Sequence, residues 1–327
     1  MIGASAGGVE TLKRVVSGLP RELSAAVCIV LHVAPDSPSM LARILARAGP
    51  LPARPAADGD ELRQGEILVA PPDRHLVIDD DHVHLSIGPR ENGHRPSVDV
   101  LFRSAADAKR GRVLGVILSG ARGDGAAGLA TIKARGGATI VQDPAEALYA
   151  GMPTTALAHV VVDAVVSSDL VADTIVAMVN GEEPSPAVRD LRPEGNPPTD
   201  DPGISICPEC GGVLSERTEA GMVVWQCRVG HRYSPESLAD EQAQSVEAAM
   251  WTAIRALEDR SRLLGRIADD FETRGQDRSS QSFRRRASTA RDEMNLVRKA
   301  LDQSHQLTLR KLAAGEAGLT VGNGADE

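Results

Sequence analysis

Ser5 lies in the segment Gly3-Ala4-Ser5-Ala6-Gly7, which fits the pattern G-x-S-x-G. Small neighbours let the chain turn sharply and expose the serine hydroxyl to a carbonyl substrate. A helical pattern begins directly afterwards, and the free N–H groups of a first helical turn can stabilise an oxyanion. The alternative is a Gly-rich turn or phosphate loop, because the same letters also resemble a dinucleotide fingerprint.

His32 and Asp124 are the residues that could activate this serine. His32 ends the apolar run AVCIVLHV, and Asp124 follows the run GVILS in a Gly-rich loop. Each has a simpler interpretation, as a core histidine and as a helix N-cap. Because the carboxyl ends of parallel strands meet at one ligand-binding edge, we expect the three side chains to converge there. Ser5 would be the nucleophile, His32 the base and Asp124 the group that orients the imidazole.

Three cysteines and one histidine form a second group with chemical potential. Cys207, Cys210, Cys227 and His231 have the spacing C-x2-C-x16-C-x3-H. Three thiolates and one imidazole suit a closed tetrahedral site, which predicts structural zinc rather than catalytic zinc. Unrelated thiols in a loop are the alternative. The fourth cysteine, Cys28, lies inside an apolar run and is interpreted as a small buried residue.

The elements that would position these residues alternate between strand and helix patterns. Strands are predicted at 25–33, 115–118, 138–141 and 160–166, and helices at 9–19, 39–48, 98–108 and 126–135. Such alternation predicts an α/β fold with a parallel sheet. Residues 67–88 contain strand-like pieces around Asp79-Asp80-Asp81, which favours an antiparallel hairpin.

Composition divides the 327 residues into five parts. We expect a catalytic domain at 1–180, a Pro-rich linker at 181–203, a zinc-ribbon-like module at 204–235, a helical hairpin or coiled coil at 236–313 and a disordered tail at 314–327. Proline clusters mark the linker, and apolar residues at three- and four-residue spacing mark the helices.

Charge and aromatic content exclude several functional classes. The net charge of −9 disfavours general binding to DNA or anionic membranes, and 2% aromatic residues offer few platforms for stacking bases. No apolar run is long enough to span a membrane, and the N-terminus does not look like a signal peptide. We therefore expect a cytoplasmic protein. Arg284-Arg285-Arg286 is a local basic patch, either a contact for an acidic signalling partner or a solvated helix face.

Six ordered segments of the first 153 residues resemble the catalytic domain of the chemotaxis protein-glutamate methylesterases, CheB. They are IGASAGG, LHVAPDS, VAPPDRHL, HRPSVDVLF, GVILSGARGDGAAGL and GMP. The resemblance implies a Rossmann-like parallel sheet with an antiparallel edge hairpin. It implies hydrolysis of glutamate γ-methyl esters on chemoreceptor helices, leaves open deamidation of glutamine there, and requires no cofactor for catalysis. Ser5, His32 and Asp124 match the family's catalytic residues, and the N–H groups of Ala6 and Ala121 are the expected oxyanion donors.

The sequence also departs from the family pattern. Ala6 stands where the family usually has Thr, and Ala121 where it usually has Met. Only Met1-Ile2 precede Gly3, from which we expect that the natural start lies upstream. We also expect no aspartyl-phosphate control by a receiver domain, since the sequence before Ser5 contains none. In the block 94–102 we interpret Ser97 or Asp99 as a helix cap, and Met152 as structural.

The leading hypothesis is therefore a serine esterase that acts on a methylated chemoreceptor or similar helical sensor, with a zinc ribbon and helices appended. The alternative is a catalytically weak or inactive scaffold that serves as an interaction module, in which the C-terminal helices bind a signalling partner. A nucleotide-binding function is disfavoured because Gly3–Gly8 lacks the third glycine of G-x-G-x-x-G.

Overall fold

The computed structural model describes residues 1–38, 40–182 and 205–318. The predicted linker at 181–203 lies almost entirely outside these residues, as do residues 319–327 of the tail predicted at 314–327. Residues 314–318 of that tail belong to the last helix. The described chain forms two compact units, Met1–Glu241 and Gln242–Glu327.

The first unit contains all twelve strands and seven helices of the described residues, counting the beginning of α7. The strands are β1 (Ile2–Ala4), β2 (Val27–Leu31), β3 (Ala53–Pro55), β4 (Ile67–Val69), β5 (His75–Asp79), β6 (His82–Ser86), β7 (Leu114–Ile117), β8 (Ala138–Gln142), β9 (Ala164–Val166), β10 (Leu214–Glu219), β11 (Met222–Cys227) and β12 (Arg232–Tyr233). The helices of both units are α1 (Gly8–Gly18), α2 (Leu41–Ala48), α3 (Val98–Lys109), α4 (Ala126–Ala134), α5 (Gly151–His159), α6 (Val171–Val179), α7 (Pro235–Thr273) and α8 (Asp277–Gly318). A short 3-10 turn, Arg110–Arg112, follows α3.

Seven strands form one parallel sheet in the order β3-β4-β2-β1-β7-β8-β9. The predicted α/β class and parallel sheet are confirmed. The predicted hairpin is β5–β6, which is antiparallel and forms a separate two-stranded sheet.

Alternating side chains of β2 show how the sheet is buried on both faces. Cys28 and Val30 belong to a core shared with α3, α4 and α5, whereas Ile29 and Leu31 belong to a core shared with α1, α2 and α6. A strand buried on both faces has no polar side, so its sequence is a continuous apolar run. This explains why AVCIVL could be recognised as a strand from the sequence.

Strands β10, β11 and β12 form an antiparallel three-stranded sheet, which we call the ribbon together with the loops of residues 205–235. Ala220 and Gly221 connect β10 to β11 with positive φ values of 49° and 82°, as a tight two-residue hairpin turn requires. Met222 and Val224 of β11 are buried in the same core as α3 and α4. The ribbon is therefore packed on the parallel-sheet domain and is part of the same unit.

The second unit is a pair of antiparallel helices, consisting of most of α7 and of α8. Ser261 Oγ donates to the Ala287 carbonyl at 2.9 Å, and the Phe271 and Phe283 rings stack at 5.4 Å. Arg284 pairs with Asp269 and Glu272, so part of the basic patch is neutralised within the hairpin. Among the described residues, no helix combines the length and the apolar character that a membrane span requires.

Helix α5 was not among the helices predicted from the sequence, where Met152 was interpreted only as structural. Pro153 lies in the first turn of α5, where a missing N–H costs no intrahelical hydrogen bond. The strand predicted at 160–166 is accordingly shorter and begins at Ala164.

Leu101 of α3 is completely buried between the sheet and its helices. We expect Leu101→Ala to lower the free energy of unfolding by about 2–5 kcal/mol, because it removes apolar contacts and leaves a cavity. Leu170→Ala is the control, since Leu170 is 46% exposed and should cost about 0.5 kcal/mol or less. Urea denaturation of both variants measures the difference. Equal midpoints would contradict this account of the core.

Candidate active site

The register of the two central strands brings Ser5 and His32 to the same edge of the sheet. Ala4 of β1 is paired with Leu31 of β2, so the next residues, Ser5 and His32, are neighbours just beyond the strands. The His32 N–H donates to the Ala4 carbonyl at 3.2 Å, which extends this pairing by one residue. Strand pairing alone therefore places the serine beside the histidine.

The loop after β7 borders Ser5 on its other side. The Ser5 N–H donates to the Ser119 carbonyl at 2.9 Å. A Cβ at Gly120 would collide with Met152 and come within 2.9 Å of the Ser5 Cβ, so only glycine permits this approach. Within the described chain, neither the Ala6 nor the Ala121 backbone N–H has a hydrogen-bond acceptor. Both predicted oxyanion donors are therefore free to bind another group.

His32 is joined directly to Asp124. Its Nε2 donates to Asp124 Oδ2 at 2.7 Å, and the two side chains are 5% and 0% exposed. Because the carboxylate occupies Nε2, the basic lone pair lies on Nδ1. That Nδ1 is buried and has no hydrogen-bond partner among the described residues. No hydrogen bond joins it to Ser5 Oγ within that part of the chain, and contacts of this kind often tighten only when substrate binds.

Asp124 accepts hydrogen bonds from five donors. Besides His32, these are Asn92 Nδ2 at 2.9 Å, Ser97 Oγ at 2.8 Å, and the backbone N–H groups of Val98 at 2.6 Å and Asp99 at 3.3 Å. Burial by itself would raise the pKa of Asp124, but the hydrogen bonds and positive charges around it hold that pKa well below its ordinary value. The carboxylate is therefore ionised whenever His32 needs an anionic partner.

The N–H groups in the first turns of α3 and α4 show which residues cap these two helices. Ser97 occupies the N-cap position, but its hydroxyl bonds to Asp124 and makes no cap. Asp99 Oδ1 accepts the Gly128 N–H at 2.6 Å in the first turn of α4, so the expected helix cap is found at Asp99 and not at Ser97. Asp124, from the neighbouring loop, caps α3 by accepting the N–H groups of Val98 and Asp99. The helix dipole further stabilises a negative charge at this N-terminus.

Asp99 is a second buried carboxyl group beside Asp124. Burial and the negative charge of Asp124 raise the pKa of Asp99 to about 8. Two adjacent carboxyl groups cannot both ionise easily in a buried site. At neutral pH the negative charge is therefore on Asp124, which faces His32, and the proton is on Asp99.

His94 stacks on His32, with ring centroids 3.7 Å apart and planes inclined by 12°. Burial and the neighbouring His32 lower the pKa of His94 to about 3, so its ring is neutral at physiological pH. A neutral stacked ring restricts the rotation of His32 without adding a charge. The sequence analysis interpreted the block containing His94 as mostly structural and did not consider this contact.

An open cleft of about 420 Å³ contains the nucleophile and base candidates. It is lined by Ser5, Ala6, His32, Val33, Ala34, Pro35, Arg90, Gly93, His94 and Arg95. Another cavity, of about 340 Å³, lies where β1 and β7 begin and contains neither Ser5 nor His32. The first cleft brings Ser5 together with His32, whose ring is bonded to the buried Asp124 carboxylate.

The four predicted metal ligands lie together in the ribbon. Their ligand atoms are all within 4.8 Å of one another. Cys227 Sγ is 3.5 Å from His231 Nδ1, Cys207 Sγ is 3.7 Å from the same atom, and Cys210 Sγ is 3.6 Å from Cys227 Sγ. Cys28 lies apart from this group, buried inside β2. The cluster therefore has the composition and proximity of a metal-binding site.

The pKa shift of Asp124 predicts how the stability contributed by this group depends on pH. Asp124→Ala should lower the free energy of unfolding at pH 7 by about 3–5 kcal/mol, because His32 and four further donors lose their acceptor. The folded-state pKa lies below the unfolded value of about 3.9, so the contribution is complete above that pH and is lost as the pH falls through the acid range. Chemical denaturation at several pH values should show the gap between wild type and variant closing below about pH 4. Asp169→Ala, at a side chain 79% exposed, should show no such gap.

Comparison with known proteins assigns the chain to a family. Residues 1–175 match the family described as CheB methylesterase. The chain is 38% identical over 179 residues to a protein of Leptospira interrogans, covering 54% of this chain and 93% of that protein. It is 39% identical over 186 residues to a Methanosarcina mazei protein named protein-glutamate methylesterase/protein-glutamine glutaminase 2, covering 54% of this chain and 51% of that one.

A solved structure supports the same assignment. The crystal structure of the Thermotoga maritima CheB methylesterase catalytic domain matches with a TM-score of 0.52 at 29% identity, covering 54% of this chain and 96% of that domain. Sequence and fold agree over the same half of the chain, and the protein described here belongs to the CheB methylesterase family.

Proposed function

We propose that this protein is a protein-glutamate methylesterase that uses Ser5 as nucleophile, His32 as general base and Asp124 as the ionised partner of His32. The observation that carries the proposal is the β1–β2 register, which sets Ser5 beside a histidine already bonded to a buried carboxylate. Its membership of the CheB methylesterase family supports the assignment.

The reaction uses the atoms of the site that have no hydrogen-bond partner among the described residues, namely His32 Nδ1 and the N–H groups of Ala6 and Ala121. His32 Nδ1 accepts the Ser5 proton while Ser5 Oγ attacks the carbonyl carbon of a glutamate γ-methyl ester. The N–H groups of Ala6 and Ala121 face the oxyanion of the tetrahedral intermediate. Collapse of the intermediate releases methanol, which takes the proton from His32 and leaves an acyl-serine. Water, activated by the same histidine, then hydrolyses this ester to glutamate and free Ser5.

The polypeptide substrate is a methylated chemoreceptor helix or a similar helical sensor. The same site would release ammonia rather than methanol from a glutamine side chain, because the acyl-serine formed is identical. An amide is a poorer substrate than an ester for this attack, so we expect deamidation to be the slower reaction.

We further propose that Cys207, Cys210, Cys227 and His231 hold a structural zinc ion. Tetrahedral zinc with ordinary bond lengths separates two sulfurs by about 3.8 Å and a sulfur from a nitrogen by about 3.6 Å. Three of the six separations among these atoms, at 3.5–3.7 Å, fit these values, and all six lie within 4.8 Å. Glu209 Oε2 lies 3.5 Å from His231 Nε2, the arrangement that commonly orients a metal-binding imidazole. When bound, zinc would cross-link the two loops of the ribbon that carry its ligands. No catalytic step is assigned to it.

This assignment divides the chain by role, in the arrangement expected from the sequence. Residues 1–180 form the esterase domain, 204–235 the zinc ribbon and 236–313 the helical hairpin. Arg284 of the hairpin is already paired with Asp269 and Glu272, which leaves less unpaired positive charge for an acidic partner than the sequence suggested.

Ser5→Ala should abolish methanol release from methylated receptor, lowering kcat by about 10⁶-fold because no nucleophile remains. The measurement is methanol released from candidate receptors, together with labelling by a serine-directed fluorophosphonate. Ser17→Ala, on the exposed side of α1, is the matched control and should retain both. Full methanol release by Ser5→Ala would refute the assignment. A wild type that neither labels nor releases methanol would favour the scaffold alternative.

The zinc proposal predicts one zinc ion per chain in protein purified without chelator, measured by elemental analysis and native mass spectrometry. Cys210→Ser should lose most of this zinc, because it replaces one of three thiolates with a poor ligand. Cys28→Ala should keep it, since Cys28 lies in the parallel sheet. Equal zinc content in Cys210→Ser and wild type would overturn the assigned ligand set.

A further inference from the structure

Asn92 is a buried amide in the loop between β6 and α3. It forms a tight turn with its neighbours, in which the His94 N–H donates to the Glu91 carbonyl at 2.9 Å. Asn92 has φ of 53° and Gly93 has φ of 77°, so an Asn-Gly pair fits the left-handed conformation of both positions. The turn directs the Asn92 side chain inwards, where it is 2% exposed.

The two amide hydrogens of Asn92 are divided between the two buried carboxyl groups. Asn92 Nδ2 donates to Asp124 Oδ1 at 2.9 Å and to Asp99 Oδ2 at 2.8 Å. Its Oδ1 accepts the backbone N–H of Ser234 at 2.8 Å. Since the Asp124 carboxylate can only accept and the Ser234 N–H can only donate, this orientation of the amide is the one that satisfies both. The Ser234 N–H therefore determines which side of the amide faces Asp124.

Ser234 lies at the end of the ribbon, and the main chain of the ribbon also holds the Asn92 turn. The Asn92 N–H donates to the Arg232 carbonyl at 2.7 Å, and the Arg232 N–H donates to the Arg90 carbonyl at 3.4 Å. These bonds pair β12 with residues 90–92. The buried Glu91 adds an ion pair with Arg103 at 2.7 Å and approaches Arg232 at 3.8 Å.

The loop that carries Asp124 has its own contacts with the same part of the chain. Arg122 forms an ion pair with Glu241 in the first part of α7. A Cβ at Gly123 would lie 3.1 Å from Ser234 Oγ, so Ser234 is also close to this loop. The segment from Arg232 to Glu241 therefore touches both loops that surround the Asp124 carboxylate.

We propose that Asn92 is a positioning residue for the esterase reaction, and that the ribbon holds it in place through the Ser234 N–H. Asn92 does not face the cleft, so it acts through Asp124, whose carboxylate it orients toward His32. The ribbon then contributes to catalysis without touching substrate. This inference rests on the proposed methylesterase function.

Asn92→Gly tests the role of the amide, because glycine keeps the positive φ and removes only the side chain. We expect kcat to fall by about 10- to 100-fold, the equivalent of one lost hydrogen bond to a buried charge. KM should stay within about two-fold, since the substrate cleft is unchanged. Asp80→Gly is the matched control: Asp80 has φ of 48° in the exposed β5–β6 turn, and its variant should retain wild-type kcat.

Ser234→Pro tests the role of the ribbon, because proline has no N–H to orient Asn92. Ser234→Ala is its control, since it keeps the N–H and loses only the hydroxyl. Ser234→Pro should lower kcat toward the level of Asn92→Gly, whereas Ser234→Ala should not. The double variant Ser234→Pro/Asn92→Gly should have a kcat no lower than that of the slower single variant. Zinc content and thermal unfolding are measured on every full-length variant, to confirm that the ribbon is intact.

The outcomes separate this inference from the proposed function. A wild type that releases no methanol refutes the methylesterase assignment itself. An active wild type with unchanged kcat in folded Asn92→Gly refutes the positioning role alone. A rise in KM without a fall in kcat also refutes it, because positioning of Asp124 affects the chemical step. Additive losses of kcat in the double variant would overturn the link between Asn92 and the ribbon. If Ser234→Pro does not fold, Asn92→Gly still decides whether Asn92 has the positioning role.

Discussion

The Asp124 carboxylate is the interaction on which the candidate site depends. A buried negative charge is costly unless donors surround it, and here one imidazole, one amide, one hydroxyl and two backbone N–H groups do so. Those donors come from the ends of β2, the Asn92 turn and the start of α3. One charged group therefore fixes the relative positions of three separate chain segments.

The Asp124 carboxylate also connects His32 to the ribbon. Its ionisation is favoured over that of Asp99, so the negative charge faces His32 rather than the α3–α4 contact. Asn92 connects it to the backbone of Ser234 in the ribbon. A ribbon that looks like an appendage in the sequence is thus connected through the Asn92 side chain to the Asp124 carboxylate.

The sequence predicted the parallel α/β fold because its strands are buried on both faces and are visible as apolar runs at Cys28–Val30 and Val116–Leu118. It also predicted that Ser5, His32 and Asp124 would meet, because each follows a strand of a parallel sheet. The metal-ligand cluster was recognisable from its spacing alone. These features depend on local pattern or on a simple rule of topology.

Asn92 and the cap of α3 could not be predicted in the same way. Asn92-Gly93 was recognisable as a turn signal, but its partners are 32 and 142 residues away in the sequence. Ser97 has the residue type and position of an N-cap, yet a stronger acceptor from a distant loop takes its hydroxyl. Tertiary contacts decided both cases, and no local sequence pattern shows which distant carboxylate lies beside Asn92 or the N-terminus of α3.

The central position of β1 has a consequence for the order in which this site can form. The Ser5 N–H is held by Ser119, and the strand before it is paired with β7, more than a hundred residues later. During synthesis, the segment with Ser5 would emerge before β7, its second neighbouring strand, and pairing the two has an entropic cost of loop closure. Asn92 would gain its last partner only after Ser234 has emerged. A growing chain would therefore complete the contacts around Asp124 only after the residues up to Ser234 have been made.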